Sequence, residues 1–181
     1  MKLFSFSLLL LLAFSPATFL KAQSQQNANT IFASPSLMKL QEKLKSKALT
    51  INTSKNPFYL RGDFNGDKVM DLAVLVFNQK NEKGLIIAHG NSERTYYIVN
   101  ERAEAQAGAD LRIPFGVGGA EFFWHALTNG EAIEHLKSNY RDSFKKGTKV
   151  VGEAISYGKM EGFGGVIYWD GKQYVGISGG C

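Results

Sequence analysis

The chain is poor in cysteine: Cys181, its last residue, is the only one among 181 residues. A single cysteine excludes an intrachain disulfide, so the stability of the fold has to come from packing and from any ion that it binds. The sequence contains no internal repeat, which argues against solenoid architectures. We therefore expect one packed domain.

Motifs of hydrolytic and zinc-dependent enzymes are also missing. The three histidines, His89, His125 and His135, do not form the H-x-x-x-H or H-E-x-x-H spacing of zinc sites. No G-x-S-x-G segment is present, and a terminal cysteine lacks the surroundings that activate a nucleophile. Glu153 and Glu161 could form an acid/base pair, but nothing in the sequence fixes their separation. An enzyme is therefore the less favoured class of function.

Positive charge is present but is not concentrated in one place. The formal net charge is +5 at pH 7, and the densest basic segments are "KLQEKLKSK" and "RDSFKK". Scattered basic residues are typical of a solvated surface and not of a stripe that binds nucleic acid. We expect no nucleic acid partner.

The first residues of the sequence have the pattern of an export signal. Lys2 is followed by "LFSFSLLLLLAF" and then by small residues, which is the order of a secretory signal peptide. The apolar run is too short to span a membrane, and Pro16 interrupts it. Cleavage after Ala22 is favoured, with Ala17 as the alternative, so residues 1–22 are predicted to be removed. The protein is then secreted or periplasmic, with no membrane attachment after cleavage.

Residues 23–33 are polar and are predicted to form a flexible N-terminus, and residues 34–181 are predicted to form a single domain. Ser34 and Pro35 suit the N-cap and the first position of a helix. The next residues place four apolar side chains on one helical face, namely Leu37, Leu40, Leu44 and Ala48. We predict an amphipathic helix that packs on its own domain.

From Phe58 onward the sequence is rich in short β-forming segments. Four of them, "FYLR", "DLAVLVFN", "GLIIAH" and "TYYIV", are separated by turn-forming residues. Residues 100–119 are predicted to be an irregular connection. Beyond it, "EFFWHAL" and "KVVGEAISYG" are predicted strands, and "GEAIEHLKSNY" is a predicted helix with three side chains facing inward: Ile133, Leu136 and Tyr140. The pattern predicts an α+β fold, an antiparallel β-meander sheet with one or two packed helices.

The chain closes with a predicted β-hairpin. Asp170 and Gly171 are preferred residues of a two-residue type I′ turn, which would pair Trp169 with Lys172. One face of the hairpin then carries Val166, Tyr168, Val175 and Ile177 and is predicted to face the core. The opposite face carries Ile167, Trp169, Lys172 and Tyr174. Trp169 and Tyr174 either lie under a helix or form an exposed aromatic platform that binds glycans or proteins.

The segment "RGDFNGDKVMDLAVLV" places oxygen-bearing side chains at regular intervals in front of a strand. Counted from Asp63, positions one, three, five and nine are acidic or amide residues and position seven offers a backbone carbonyl: Asp63, Asn65, Asp67, Asp71 and Val69. Calcium takes six to eight oxygen ligands, and alternate side chains of a tight loop can meet at one centre. The spacing predicts a calcium-binding loop; the alternative is an ordinary turn rich in Asp and Asn.

An EF-hand is excluded, because Lys68 stands where that loop needs glycine and Val74 where it needs a bidentate glutamate. The loop resembles instead the calcium loops of FG-GAP and VCBS repeats, whose pattern is D-x-N-G-D-x-x-x-D-L. That family has glycine at the position of Lys68 and repeats the loop in tandem, whereas this chain carries one copy. The segments "YLRGDFNGDKVMDLAVLV", "GLIIAHG" and "GVIYWDGKQYVGI" also resemble an uncharacterised group of small secreted bacterial proteins.

Together these features predict a secreted, calcium-stabilised binding module of the bacterial envelope or exterior. Its expected partner is a glycan or a secreted protein, and it is expected to be a monomer. The alternatives are a small secreted hydrolase and an inhibitor of a secreted enzyme. A pocket with convergent carboxylates or a buried histidine would favour the hydrolase, and an exposed flat patch around Trp169 and Tyr174 would favour binding.

Overall fold

A computed structural model describes residues 34–100, 111–113, 122–159 and 163–180. The predicted signal peptide, the predicted flexible N-terminus, Glu161 and Cys181 lie outside these described ranges.

The described residues form two helices and ten strands. The helices are α1 (Pro35–Lys45) and α2 (Asn129–Asn139). The strands of the first half are β1 (Leu49–Ile51), β2 (Tyr59–Gly62), β3 (Asp71–Asn78), β4 (Lys83–Ala88), β5 (Thr95–Asn100) and β6 (Leu111–Ile113). The strands of the second half are β7 (Phe122–Leu127), β8 (Val151–Lys159), β9 (Phe163–Trp169) and β10 (Tyr174–Gly180).

The strands form two sheets, each covered by one helix. In the first sheet β3, β4, β5 and β6 follow one another, and β1 and β2 share the free edge of β3. The second sheet has the order β10, β9, β8, β7 and is antiparallel throughout. Helix α1 packs on the outer face of the first sheet and α2 on the outer face of the second. The predicted α+β class with antiparallel sheets and few helices is confirmed.

The main core lies between the two sheets. Alternate residues of the strands point into it, so Ala73 and Leu75 of β3 meet Ile155 and Ile167 of the second sheet. All four side chains are at most 1% exposed. Burying an aliphatic side chain of the size of Leu75 contributes about 1.5–3 kcal/mol to stability.

Helix α1 begins as its sequence predicts. The Ser34 hydroxyl accepts a hydrogen bond from the Leu37 N–H at 3.5 Å, and Pro35 occupies the first turn. Three of the four predicted inward residues are buried against the sheet: Leu37, Leu40 and Leu44. The fourth, Ala48, is a wrong prediction, because the helix has ended and Ala48 is exposed with φ of 55°. The chain turns there so that Leu49 can enter the core through β1.

Helix α2 is confirmed together with its inward face. Thr128 and Glu131 form a capping box, in which each side chain accepts the backbone N–H of the other residue. Leu136 is fully buried, and Ile133 and Tyr140 pack half-buried against the same cluster.

Two short strands were not predicted. Strand β1 lies where the helical pattern was extended, and β6 lies inside the stretch predicted to be irregular. β6 pairs in parallel with β5, which departs from a pure meander. A three-residue strand is too short for its own sequence pattern to reveal it.

The closing hairpin forms with a different register from the predicted one. Trp169 pairs with Tyr174, not with Lys172, because the Asp170 carboxylate accepts the N–H groups of Lys172 at 2.7 Å and Gln173 at 2.9 Å. Asp170 thereby stands before the turn and not within it. The register differs by two residues, so each side chain keeps its predicted face. Val166, Tyr168 and Ile177 are buried as predicted, and Val175 packs against them; the element that covers this face is α2.

Candidate cation-binding loop

The predicted calcium segment forms the connection between two paired strands. Gly62, the last residue of β2, pairs with Asp71, the first of β3, and residues 63–70 close the turn between them. We call residues 63–71 the Asp-rich loop. It lies at one end of the first sheet, beside the turn from β4 to β5, with Asp71 turned toward the space between the sheets.

Asp63 organises the first half of the Asp-rich loop. Its Oδ1 accepts the N–H groups of Gly66 at 2.7 Å and Asp67 at 3.0 Å, and its Oδ2 accepts the Lys68 N–H at 2.9 Å. The backbone therefore wraps around this carboxylate. Gly66 and Lys68 have φ of 77° and 69°, the left-handed conformation that suits glycine. Lys68 adopts it at a cost, and the resembled family has glycine at this position.

Asn65 and Asp67 continue the same pattern. The Asn65 Oδ1 accepts the Asp67 N–H at 3.0 Å, and the Asp67 Oδ1 accepts the Val69 N–H at 2.7 Å. The other Asp67 oxygen accepts the amide groups of Asn65, at 2.7 Å, and of Asn91. The side-chain oxygens at positions one, three and five are thus turned inward, as a cation-binding loop requires.

Asp71 is the least accessible member of the predicted ligand set. It is fully buried, and its two oxygens accept the N–H groups of Phe64 and Gly90, each at 2.9 Å. Burial raises the pKa of this carboxyl to about 6; the Gly90 and Phe64 N–H groups oppose the rise, and the charges of Asp67 and Asp63 add to it. No cationic side chain of the described ranges forms an ion pair with it.

The Asp-rich loop rests on the second sheet by direct backbone contact. Strand β8 has an irregular register between Val151 and Ile155, and Gly152 within it has φ of 73°. The Glu153 N–H donates to the Asp63 carbonyl at 2.7 Å. A Cβ atom on Gly152 would collide with the Asp63 carbonyl and the Gly66 nitrogen. Glycine at position 152 is therefore required for the two sheets to meet at this loop.

His89 connects the Asp-rich loop to the core and was not predicted as a site residue. Its Nδ1 lies 3.1 Å from the Asn65 amide nitrogen and its Nε2 lies 2.9 Å from the Tyr174 hydroxyl. Burial lowers the pKa of His89, and the nearby charge of Asp67 opposes this effect. The sequence did contain a signal, since Leu85, Ile87 and His89 alternate along β4 and point to the same inner face.

Trp169 and Tyr174 lie neither under a helix nor on an exposed platform. Tyr174 is 5% exposed and Trp169 is half-buried, and both pack between the sheets with His89 and Tyr96. The ring centroids are 4.9–5.8 Å apart in tilted or edge-to-face geometry. Burial raises the pKa of the Tyr174 hydroxyl. The exposed-platform prediction is wrong because the opposite sheet covers this face.

The structure thus brings four predicted ligand residues into one hydrogen-bonded loop: Asp63, Asn65, Asp67 and Asp71. The Val69 side chain is exposed, and its backbone N–H joins the same network. Within the part of the chain that the structure describes, no three His, Cys, Asp or Glu side chains are arranged as a metal site. The binding of calcium stays a prediction.

A scan against protein-family models, a search of curated proteins and a search of solved structures each found no significant match for this chain. Among the described helices, none has the length and apolar character that crossing a membrane requires.

Proposed function

We propose that this protein is an exported, calcium-stabilised module that works by binding a partner. The observation that carries the calcium part is Asp71, a fully buried carboxyl whose pKa is raised to about 6 by burial and by two neighbouring carboxylates. A buried acid with no paired cation is unfavourable when ionised. A bound cation would remove that cost.

The donor chemistry of the Asp-rich loop fits a hard cation. Three carboxylates, one amide oxygen and one backbone carbonyl supply only oxygen atoms, which calcium prefers. Each side-chain oxygen already accepts backbone or amide N–H groups, but every carboxylate has about four lone-pair sites and can accept more. The hydrogen bonds therefore orient the oxygens without exhausting them.

Calcium would be held by Asp63, Asn65, Asp67, the Val69 carbonyl and Asp71. The ion would supply positive charge where the loop concentrates negative charge, and it would join the start of β3 to the turn before it. Magnesium fits less well because it demands octahedral geometry and retains its waters. The resemblance of the loop to FG-GAP and VCBS repeats supports the same ion.

Export rests on the sequence of residues 1–22. Mass spectrometry of the protein recovered from the medium or periplasm should find Gln23 at the N-terminus, or Thr18 if cleavage follows Ala17. Intact Met1 on protein confined to the cytoplasm would contradict the export part of the proposal.

A binding role is favoured over hydrolysis. His89 is buried, and its two ring nitrogens contact Asn65 and Tyr174. These contacts join the Asp-rich loop to the core, which gives His89 a structural role in this arrangement. Glu153 faces the Asp-rich loop through its backbone, and its proposed partner Glu161 lies outside the described residues.

Thermal melts of the mature protein test the calcium proposal. An ion that binds only the native state adds about 2.7 kcal/mol at 100 times its Kd. For a domain of this size that free energy raises Tm by about 5–10 °C. Replacing Asp67 with Asn should abolish most of the rise, and the matched variant Asp170→Asn should keep it. An unchanged Tm at 10 mM calcium, about 10–100 times the Kd of extracellular sites, would contradict the proposal.

A further inference from the structure

A cleft of about 780 Å³ opens beside the Asp-rich loop. Its walls are the first turns of α1, strand β2 and the turn that joins β4 to β5. Its volume lies within the range of sites that bind small molecules. We call it the α1 cleft.

The floor of the α1 cleft is the end of the first sheet. Cross-strand pairing places one row of residues side by side on the outer face: Arg61, Leu72, Ala88 and Thr95. The leucines of α1 pack farther along the sheet, on Val74, Val76 and Ile86. The end row is therefore left as the floor of an open cleft, where Leu72 and Ala88 are only half-buried.

The Asp-rich loop adds an apolar side chain to the cleft. Met70, near the end of that loop, lines the cleft and is 52% exposed, and the half-buried Tyr59 on β2 lines it as well. An exposed methionine at the mouth of an apolar floor favours contact with an apolar group of a ligand.

The rim of the cleft carries an excess of positive charge. Four basic residues line it, Lys39, Lys43, Arg61 and Arg94, against one acidic residue, Glu93. Lys39 and Lys43 share the Glu93 carboxylate at 2.9 and 3.4 Å. One carboxylate therefore serves two ammonium groups, and three positive charges are left over.

Of the two arginines, Arg61 is the one placed for a ligand. The Arg94 guanidinium lies 4.7 Å from the centre of the Tyr96 ring, which belongs to the core between the sheets and holds this arginine toward that side. Arg61 has no hydrogen-bond or ion-pair partner among residues 34–100, 111–113, 122–159 and 163–180. A planar guanidinium binds carboxylate and phosphate groups in bidentate fashion. The first turn of α1 carries no acidic residue, so its positive end also faces the cleft uncompensated.

We propose that the α1 cleft binds a small organic anion, whose carboxylate or phosphate lies on Arg61 and whose apolar group lies on Leu72 and Met70. The proposal rests on the binding role proposed above and supplies its ligand class. It does not require calcium, since Arg61, which would hold the anion, lies outside the Asp-rich loop; of the contact residues, only Met70 belongs to that loop.

The cleft and the Asp-rich loop nevertheless share a wall. Gly90 and Asn91 line the cleft and also donate hydrogen bonds to Asp71 and Asp67. An ion that fixes these carboxylates would fix the wall, so calcium should strengthen anion binding several-fold, and the anion should strengthen calcium binding by the same factor.

Ligand titrations followed by NMR on the mature protein test the proposal with four probes. Phenyl phosphate and benzoate carry both an anion and an apolar ring, inorganic phosphate carries only the anion, and phenol carries only the ring. At least one of the first two should shift resonances of Arg61, Met70 and Leu72, with Kd at least about tenfold lower than for phosphate or phenol. Comparing phenyl phosphate with benzoate distinguishes phosphate from carboxylate ligands. Equal affinity for phenol, or no shifts at 20 mM probe, which is well above about 1 mM for a weak small ligand, would overturn it.

Point variants test which cleft residues contact the anion and the aromatic ring of the probes. Arg61→Gln should raise Kd for the tighter probe about tenfold, because a charge-assisted bidentate contact is lost. The matched control Arg141→Gln, which changes an exposed arginine just after α2, should leave Kd unchanged. Met70→Ser should weaken the aromatic probes but not inorganic phosphate. An unchanged Kd in Arg61→Gln would overturn the proposed position of the anion.

Repeating the titrations in chelator separates this proposal from the calcium proposal. Probe binding that persists in chelator, alongside a Tm that does not respond to calcium, would refute only the calcium site. A calcium-dependent Tm without probe binding would refute only the cleft.

Discussion

Asp71 and Asp170 are both single carboxylates that accept two backbone N–H groups near a turn between antiparallel strands, yet their pKa values move in opposite directions. The Gln173 and Lys172 N–H groups lower the pKa of Asp170, which is only half-buried. Asp71 accepts its two N–H groups equally well, at 2.9 Å each, and its pKa is raised to about 6. Burial and the neighbouring Asp67 and Asp63 account for the difference. Hydrogen bonds alone complete the hairpin turn, whereas the Asp-rich loop keeps an electrostatic cost that a cation would remove.

The largest expected difference between the Asp-rich loop and the hairpin turn concerns the glycine on which each depends. Gly152→Ala should destabilise the fold by about 3 kcal/mol or more, because the added Cβ meets the backbone of the Asp-rich loop and φ is 73°. Gly171→Ala should cost about 1–2 kcal/mol, since φ is 101° but the nearest atom to the new Cβ lies at 3.5 Å. Urea denaturation of both variants measures this. Equal losses of unfolding free energy in the two variants would show that the Asp-rich loop does not pack against Gly152.

The next prediction concerns calcium-dependent stability. Asp67→Asn should lose most of the calcium-dependent gain of about 2.7 kcal/mol that saturating ion provides. Asp170→Asn should keep all of it, although it removes the same charge from a turn. Unfolding free energies with 10 mM calcium and with chelator, at the same ionic strength, give the two differences, where 10 mM is about 10–100 times the Kd of extracellular sites. A gain that falls equally in both variants would indicate nonspecific charge screening.

Lys68→Gly should have the opposite effect and increase both stability and the calcium response. Glycine relieves the strain of φ at 69° and should stabilise the fold by up to about 1 kcal/mol. It should also increase the calcium-dependent Tm shift, since it restores the pattern of the resembled family. Ala48→Gly is the matched control, because Ala48 is exposed with φ of 55° and lies far from the loop in sequence. Ala48→Gly should stabilise the fold without changing the calcium-dependent Tm shift. A larger calcium-dependent shift in both variants would show that the effect of Lys68→Gly does not arise in the Asp-rich loop.

The smallest effect is expected at the hairpin itself. Asp170→Ala removes two hydrogen bonds at an exposed turn and should cost about 1 kcal/mol. Denaturation should show this cost to be the same with and without calcium. A calcium-dependent cost would mean that the hairpin and the Asp-rich loop are energetically coupled.

The parts of the fold that were predictable are those that local chemistry determines. Ser34 and Pro35 define the start of α1, and short apolar runs bounded by turn-forming residues define β3 and β4. The parts that were not predictable depend on distant contacts. Strand β6 exists because β5 pairs with it, and the turn at Asp170 is moved by hydrogen bonds that a turn preference does not encode.

The shape of the Asp-rich loop was predictable to the same extent, whereas its role as a site stays a prediction. The spacing of Asp63, Asn65 and Asp67 indicated a tight loop with side chains turned toward its backbone, because that geometry is local. It did not predict that Asp71 would be buried, nor that His89 would join the loop to Tyr174, because both depend on the second sheet covering the first. Trp169 and Tyr174 share one face of the hairpin, as predicted. This face is buried because the opposite sheet covers it, which local sequence does not reveal.

A crystal structure of the mature protein grown with calcium tests the central claim most directly. An ion peak within the Asp-rich loop is expected, with six to eight oxygen ligands at about 2.3–2.6 Å that include Asp63, Asn65, Asp67 and the Val69 carbonyl, and with Asp71 bound directly or through water. Replacing calcium with chelator should remove the peak and leave the described hydrogen bonds of Asp63. A loop that contains only water at 10 mM calcium, about 10–100 times the Kd of extracellular sites, would contradict the claim and leave the segment as a turn rich in Asp and Asn.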